Sequence, residues 1–152
     1  MKLRRWLSGL RTLLFGDTKG SLDTRQDSKK TIGTQGEMIA LEYLRRLGWR
    51  LIEMNLKLGV DELDLLVVSP DEQTMAIVEV RTTSDPHRSP ERTITAKKRG
   101  TMLRVMKKLH AVARKHRCTL RMDVIAVTLS CPSPSITHYE GVFPLPRERY
   151  FT

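Results

Sequence analysis

The chain is poor in aromatic residues and in cysteine. Phe, Trp and Tyr make up 5% of its 152 residues, too few for a platform on which successive bases stack. Two cysteines, Cys118 and Cys131, are present. They form neither a CxxC pair nor a disulfide framework, so a reducing, cytoplasmic setting is expected. The histidines, His87, His110, His116 and His138, lack metal-ligand spacing, and His116 with Cys118 alone cannot build a zinc site. No Gly-rich phosphate-cradling motif occurs, and no apolar run is long enough to span a bilayer. One further absence is local: no acidic residue lies between Glu91 and Asp123.

What the chain does have is positive charge. Lys and Arg number 27 against 17 Asp and Glu, a net charge of +10. In a chain long enough for one well-cored domain, this predicts an anionic partner, nucleic acid ahead of an anionic membrane surface. The acid-free interval holds Lys97, Lys98, Arg99, Arg104, Lys107, Lys108, Arg114, Lys115, Arg117 and Arg121. Opposite the apolar stripe of a helix these make a positive surface suited to phosphate. Such contacts give affinity without sequence readout and a steep salt dependence. A solvated helix face, the alternative, normally mixes both signs.

Four segments are expected. Residues 1–15 have Leu3, Trp6, Leu7, Leu10, Leu13 and Leu14 on one helical face and Arg4, Arg5 and Arg11 elsewhere. That pattern suits a locally packed terminal helix, or a basic amphipathic segment that touches a membrane surface or a partner. Arg11 interrupts the apolar stretch a signal peptide needs. Residues 16–32 read as a flexible linker, 33–143 as the folded domain and 144–152 as a tail. Within the domain the spacing predicts a helix over 37–47 with Ala40, Leu41, Tyr43, Leu44 and Leu47 as its stripe, stopped by Gly48. Strands are expected over 49–55, 62–68 and 74–81. A polar loop over 82–92 leads to a helix capped by Thr93 or Thr95 and running to about His116, with Leu103, Met106, Leu109 and Ala113 on one face. Strands over 120–129 and within 135–143 complete the order α-β-β-β-α-β-β, an α/β mixed sheet covered by helices.

The second and third strands carry unexpected charge, in "DELDLLVVSPDEQTMAIVEVRT". Alternation puts Glu62, Asp64, Leu66 and Val68 on one face and Met75, Ile77, Glu79 and Arg81 on one face of the next strand. A turn centred between Asp71 and Glu72 pairs Ser69 with Thr74, Asp64 with Glu79 and Glu62 with Arg81. Directly opposed side chains lie roughly 5 Å apart at Cβ, so two carboxylates would meet. Like charges so close raise a carboxylate pKa, and a bound divalent cation relieves them. The alternative is a polar sheet face on which Arg81 neutralises Glu62 or Glu79.

In order, the chain shows Gly33, Gly36 and Glu37; Asn55 and Lys57; Glu62, Asp64 and Leu65; Val78, Glu79, Val80 and Arg81; Lys97; and Arg121 to Val124, ending near Phe143. This set resembles the YraN-like family of small bacterial proteins, placed in the PD-(D/E)xK, restriction-endonuclease-like superfamily near archaeal Holliday-junction resolvases. The resemblance implies a restriction-endonuclease-like α/β fold and a metal-dependent, nuclease-like site. Asp64 and Glu79 would hold Mg²⁺ or Mn²⁺, with the Val80 carbonyl, and Glu37 would serve as a further ligand or orienter. Two positions depart from the family pattern. Asp61 stands where Gly is usual. Arg81 stands at the Lys position, and an always-charged guanidinium suits holding phosphate better than acting as a base. The expected nucleic-acid contacts are Lys57, Lys97, Lys98, Arg99, Arg104, Lys107 and Lys108. The expected function is a nucleic-acid-binding, nuclease-like protein, a Mg²⁺-dependent endonuclease on branched or damaged DNA. The alternatives are a non-catalytic nucleic-acid-binding module of the same fold and a peripheral membrane or adaptor protein. DNA and a second copy of the chain are the expected partners.

Overall fold

A computed structural model describes residues 28–130 and 132–142. Its elements are helix α1 (Ser28–Arg46), strands β1 (Arg50–Leu58), β2 (Asp61–Val68) and β3 (Thr74–Thr83), a short 3-10 turn (Pro90–Thr93), helix α2 (Ala96–Lys115), and strands β4 (Thr119–Thr128) and β5 (Ser135–Tyr139). This is the predicted α/β order. The five strands form one mixed sheet in the order β1-β2-β3-β4-β5, with only β3 and β4 parallel. The β3-to-β4 connection crosses over through α2, as a parallel pair requires. Among the described residues no helix is long and apolar enough to cross a membrane. The expected N-terminal amphipathic segment, most of the linker, the tail and Phe143 lie outside the described residues.

Each face of the sheet packs its own core. On one side α2 lays Met102, Val105, Met106, Leu109, Val112 and Ala113 over Leu66, Val68, Met75 and Ile77. On the other, α1 lays Ala40, Leu41 and Leu44 over Leu65, Val67, Val78, Val80, Ile125 and Val127. Strands β3 and β4 are therefore covered on both faces and read as nearly continuous apolar runs. Burying each Leu, Ile or Met there contributes about 1.5–3 kcal/mol.

Three helical expectations are corrected. Helix α1 is described from Ser28, nine residues before its expected start at 37. Leu47 falls beyond its last residue and is exposed, because Gly48 at φ 84° turns the chain away there. On α2 the buried stripe runs through Met102, and Leu103 is exposed, one residue being about 100° of helical rotation. Thr95 is the cap, its hydroxyl accepting from the Lys98 N–H.

The β2–β3 register is the predicted one over Leu65–Val68, but the ladder ends at Leu65–Val78, so the expected pairs Asp64–Glu79 and Glu62–Arg81 are not ladder pairs. The turn closes through Ser69 N–H to Thr74 carbonyl at 2.9 Å, and Leu65 faces Val78. The predicted sharing of faces along β2 fails. Leu63 and Leu66 both face α2, whereas Leu65 faces α1. Strict alternation would put Leu63 with Leu65. The cause lies in the neighbouring strand. Asn55 sits at φ 52°, in a gap between the pairs Met54–Leu65 and Leu56–Leu63. That left-handed residue rotates the β1–β2 hairpin tip by one face, so Asp61 and Leu63 turn toward α2.

Candidate active site

Above the middle of β3 the polar side chains of four elements converge. They line an open cleft of about 560 Å³ that includes Glu37, Asp64, Glu79, Arg81, Thr82, Arg88 and Lys98. Glu37 arrives there because α1 crosses β3 at Gly36. A Cβ at Gly36 would lie 1.8 Å from Thr82 Oγ1, so only glycine allows this approach. Asp64 stands where β2 parts from β3, just past the last ladder pair. Its Oδ2 accepts the Val80 N–H at 2.7 Å, replacing the backbone acceptor that the ladder no longer supplies. Glu79 projects toward the start of α2 and is buried at 4% exposure. Its Oε2 meets Lys98 Nζ at 2.8 Å and its Oε1 meets Arg81 Nη2 at 3.2 Å.

The electrostatics follow from this crowding. Burial, and next the charge of Asp64, push Glu79 up to about 7 despite Lys98 and Arg81. Burial also raises Asp64, against the pull of the Val80 N–H. Burial and then the charge of Asp64 raise Glu37, while a hydrogen bond from the Asn55 side chain opposes them. The second oxygen of Glu37, Oε2, is buried and has no partner. Three carboxyl groups thus share one cleft, each held toward its protonated form.

Two carboxylates with room for phosphate and water match the oxygen-donor chemistry of Mg²⁺ or Mn²⁺, and the unpartnered Glu37 Oε2 adds a third oxygen nearby. A closed cage is absent: among the described residues no three His, Cys, Asp or Glu side chains are gathered tightly enough to hold a metal. The donor set fits a cation that keeps most of its ligands from solvent and substrate. Val80 enters this arrangement through its N–H.

The predicted nucleic-acid residues divide into three groups. Lys98 lies in the cleft, on Glu79. Lys57, Lys97, Arg99 and Lys107 are exposed outside it. Arg104 and Lys108 close on Asp61, at 2.6 Å and 3.0 Å, and Lys108 also donates to the Leu58 carbonyl at 2.7 Å. Asp61, read in the sequence as a departure at the strand mouth, is thus the buried anchor of the hairpin tip on α2. Asn55 and Arg88 went unassigned. The only signal for Arg88 was its polar loop directly after β3. The sharing between Glu37 and Asn55 joins residues eighteen apart in two elements, which no periodicity reveals.

His138, bland in sequence, belongs to a second buried cluster on β4 and β5. Its Nε2 lies 3.1 Å from Asp123 Oδ2, and Arg121 Nη2 reaches the same oxygen at 2.9 Å. The Gly141 N–H caps Oδ1 at 2.9 Å.

Comparison with known proteins agrees with the sequence resemblance. The family model described as "Uncharacterised protein family UPF0102" matches residues 36–127. A UPF0102 protein of Herpetosiphon aurantiacus is 34% identical over 121 residues, covering 76% of this chain and 96% of the relative. One from Geobacter metallireducens is 32% identical over 117 residues, covering 76% and 94%, and one from Porphyromonas gingivalis is 35% identical over 118 residues, covering 74% and 84%. Among solved structures, "The structure of Pyrococcus Furiosus SfsA in complex with Ca2+" aligns over 82% of this chain and 74% of that one, with 15% identity and a TM-score of 0.28. A likeness of that depth carries no functional argument. The chain belongs to the UPF0102 family.

Proposed function

We propose that this UPF0102 protein has a restriction-endonuclease-like fold and is a nucleic-acid-binding nuclease, which binds a divalent cation at Asp64 and Glu79 and hydrolyses phosphodiester bonds in branched or damaged DNA. One observation carries the reading: Asp64 and Glu79 are brought together in a cleft that raises the pKa of both, and two cations stand beside Glu79. A carboxyl group whose pKa is raised by burial and by a specific charged neighbour, in a cleft, is a candidate functional group. The element order and the ordered motifs support the nuclease-like fold.

A cation bound there supplies polarisation of a phosphoryl oxygen and a lowered pKa for an attacking water. The protein's own groups have separate tasks. The Val80 N–H fixes the Asp64 carboxylate. Arg81 and Lys98 neutralise Glu79 in the resting cleft, and an entering phosphate competes for both of them. Arg81 binds phosphate and stays charged. Lys97 and Arg99, which flank Lys98 in the first turn of α2, and Lys107 farther along it are exposed and extend the positive surface along the backbone of the substrate.

A second reading is favoured by a different observation. Both Glu79 oxygens are already held by Arg81 and Lys98, and no three-ligand cage exists among the described residues. In this reading the ion pairs are permanent and the protein is a non-catalytic nucleic-acid-binding module. Incubation of branched, nicked and linear DNA with Mg²⁺ or Mn²⁺ separates the two. The nuclease reading predicts cleavage by the wild type and none by Asp64→Asn or Glu79→Gln. Salt-sensitive binding without cleavage under any condition selects the second reading, and absence of binding at low salt removes both.

A further inference from the structure

Arg88 reaches the cleft on the turn that follows β3. Thr83 Oγ1 accepts the Asp85 N–H at 3.1 Å, and Asp85 Oδ1 accepts the His87 N–H at 2.9 Å. The Asp85 carbonyl accepts the Arg88 N–H at 3.2 Å, and Pro90, two residues on, is buried. The turn is therefore pinned at both ends, and from it Arg88 lines the same cleft as Glu37, Asp64 and Glu79. Its charge is placed differently from those of the other two cleft cations. Arg81 and Lys98 both close on Glu79. Arg88 is exposed, and its guanidinium has no acidic partner among the described residues. One cation of the cleft is thus uncommitted while the other two are held.

The geometry points to Arg88 as a phosphate clamp: its guanidinium binds a backbone phosphate of the nucleic acid that enters the cleft. A guanidinium that lines a cleft beside three carboxyl groups and pairs with none of them is available to an anion from outside. Its planar fork of donors matches a phosphate bidentately and stays charged. The net charge of +10 and the exposed Lys97 and Arg99 on either side of Lys98 favour a polyanion as the source of that phosphate. The inference rests on the nucleic-acid reading but on neither cation binding nor cleavage. The competing role is diffuse, one more charge on a basic surface with no phosphate of its own. Arg92 separates the two, since it lies in the same connection and is exposed but does not line the cleft.

The test measures binding of a fluorescently labelled nicked DNA duplex to the full chain by anisotropy, in EDTA and over a range of salt, beside thermal unfolding. Arg88→Ala is expected to bind about 10-fold more weakly, as on loss of a hydrogen bond to a charged group. Its plot of log K against log salt should be shallower by about 1. Arg88→Lys keeps the charge but not the fork, so it should keep the wild-type slope and bind about 3-fold more weakly. Arg92→Ala should bind within about 2-fold of the wild type, and all three variants should melt within about 3 °C of it. Wild-type affinity in Arg88→Ala or in Arg88→Lys overturns the inference, as does equal weakening by Arg88→Ala and Arg92→Ala. A much lower melting temperature in Arg88→Ala also overturns it, because the side chain then serves the fold. A wild type that binds no DNA at low salt removes the inference and the nucleic-acid reading together. The expected binding differences without cleavage once Mn²⁺ is added support the clamp and remove only the nuclease reading.

Discussion

Buried carboxylates occur in two kinds of surroundings in this protein, and the two behave oppositely. Asp61 and Asp123 are 2% and 0% exposed, and both are held below the usual range. For Asp61 the hydrogen bonds from Arg104, then Lys108, lower it to about 2. For Asp123 burial pulls upward, but His138, Arg121 and the Gly141 N–H together outweigh it. Glu79 is 4% exposed and has two cations of its own, yet it is pushed up to about 7. The difference is completeness. Asp61 and Asp123 have several donors and no carboxylate among the charges that shift them, whereas Glu79 feels the charge of Asp64 across an open cleft. Satisfied carboxylates fasten the fold, and crowded ones are available to a ligand.

Four sets of substitutions sharpen this contrast. The largest effect is expected in the cleft: Asp64→Asn or Glu79→Gln should reduce Mn²⁺-dependent DNA cleavage by more than about 100-fold, exceeding a typical outer-shell loss, while shifting the melting temperature little. The reverse pattern is expected at Asp123→Ala. Removing one partner of a buried ion pair should lower stability by about 3–5 kcal/mol, read by urea unfolding, with DNA affinity preserved. Equal stability losses at Asp123 and Glu79 would erase the distinction.

A smaller effect is expected from pH. The folded pKa of Asp61 is depressed from 3.8 to about 2. Its ionised form therefore contributes stability above about pH 4, and the contribution is lost as pH falls toward 2. Asp61→Asn should flatten that limb of a melting-temperature curve measured between about pH 2 and 6. A variant with the wild-type slope there would show that another group governs acid unfolding. The smallest effect contrasts two groups of basic residues on α2, those without an acidic partner in the ion pairs of the described residues and those that hold Asp61. Replacing Lys97, Arg99 and Lys107 by Ala should reduce the slope of log K against log salt for DNA by about 2–3 and leave stability unchanged. Replacing Arg104 and Lys108, which hold Asp61, should lower the melting temperature as well.

Much of the architecture was legible from periodicity and turn chemistry. The element order and the β2–β3 register followed from local pattern, because the turn at Asp71–Glu72 fixes which residues oppose one another, and the cap of α2 was narrowed to Thr93 or Thr95, of which the fold uses Thr95. The meeting of Asp64 with Glu79 came from that register together with the family resemblance. Alternation failed twice in β1, at the irregularity between Leu51 and Glu53 and again at Asn55, since a period-two pattern assumes an unbroken strand and a bulge or a left-handed residue inverts the faces beyond it. The basic residues of α2 were legible as a charged surface but not as individuals. Whether Arg104 faces a phosphate or Asp61 depends on a contact across 43 residues of chain. His138 looked inert for the same reason: Asp123 reaches it only through the pairing of β4 with β5.

The central claim is that the Asp64–Glu79 cleft, unlike the Asp61 and Asp123 sites, accepts a divalent cation. Calorimetric titration of Mn²⁺ into the wild type, Asp64→Asn, Glu79→Gln and Asp61→Asn tests it most directly. The account predicts saturable binding by the wild type and by Asp61→Asn, and its loss in Asp64→Asn and Glu79→Gln. No binding by the wild type, or equal binding by all four proteins, would contradict it.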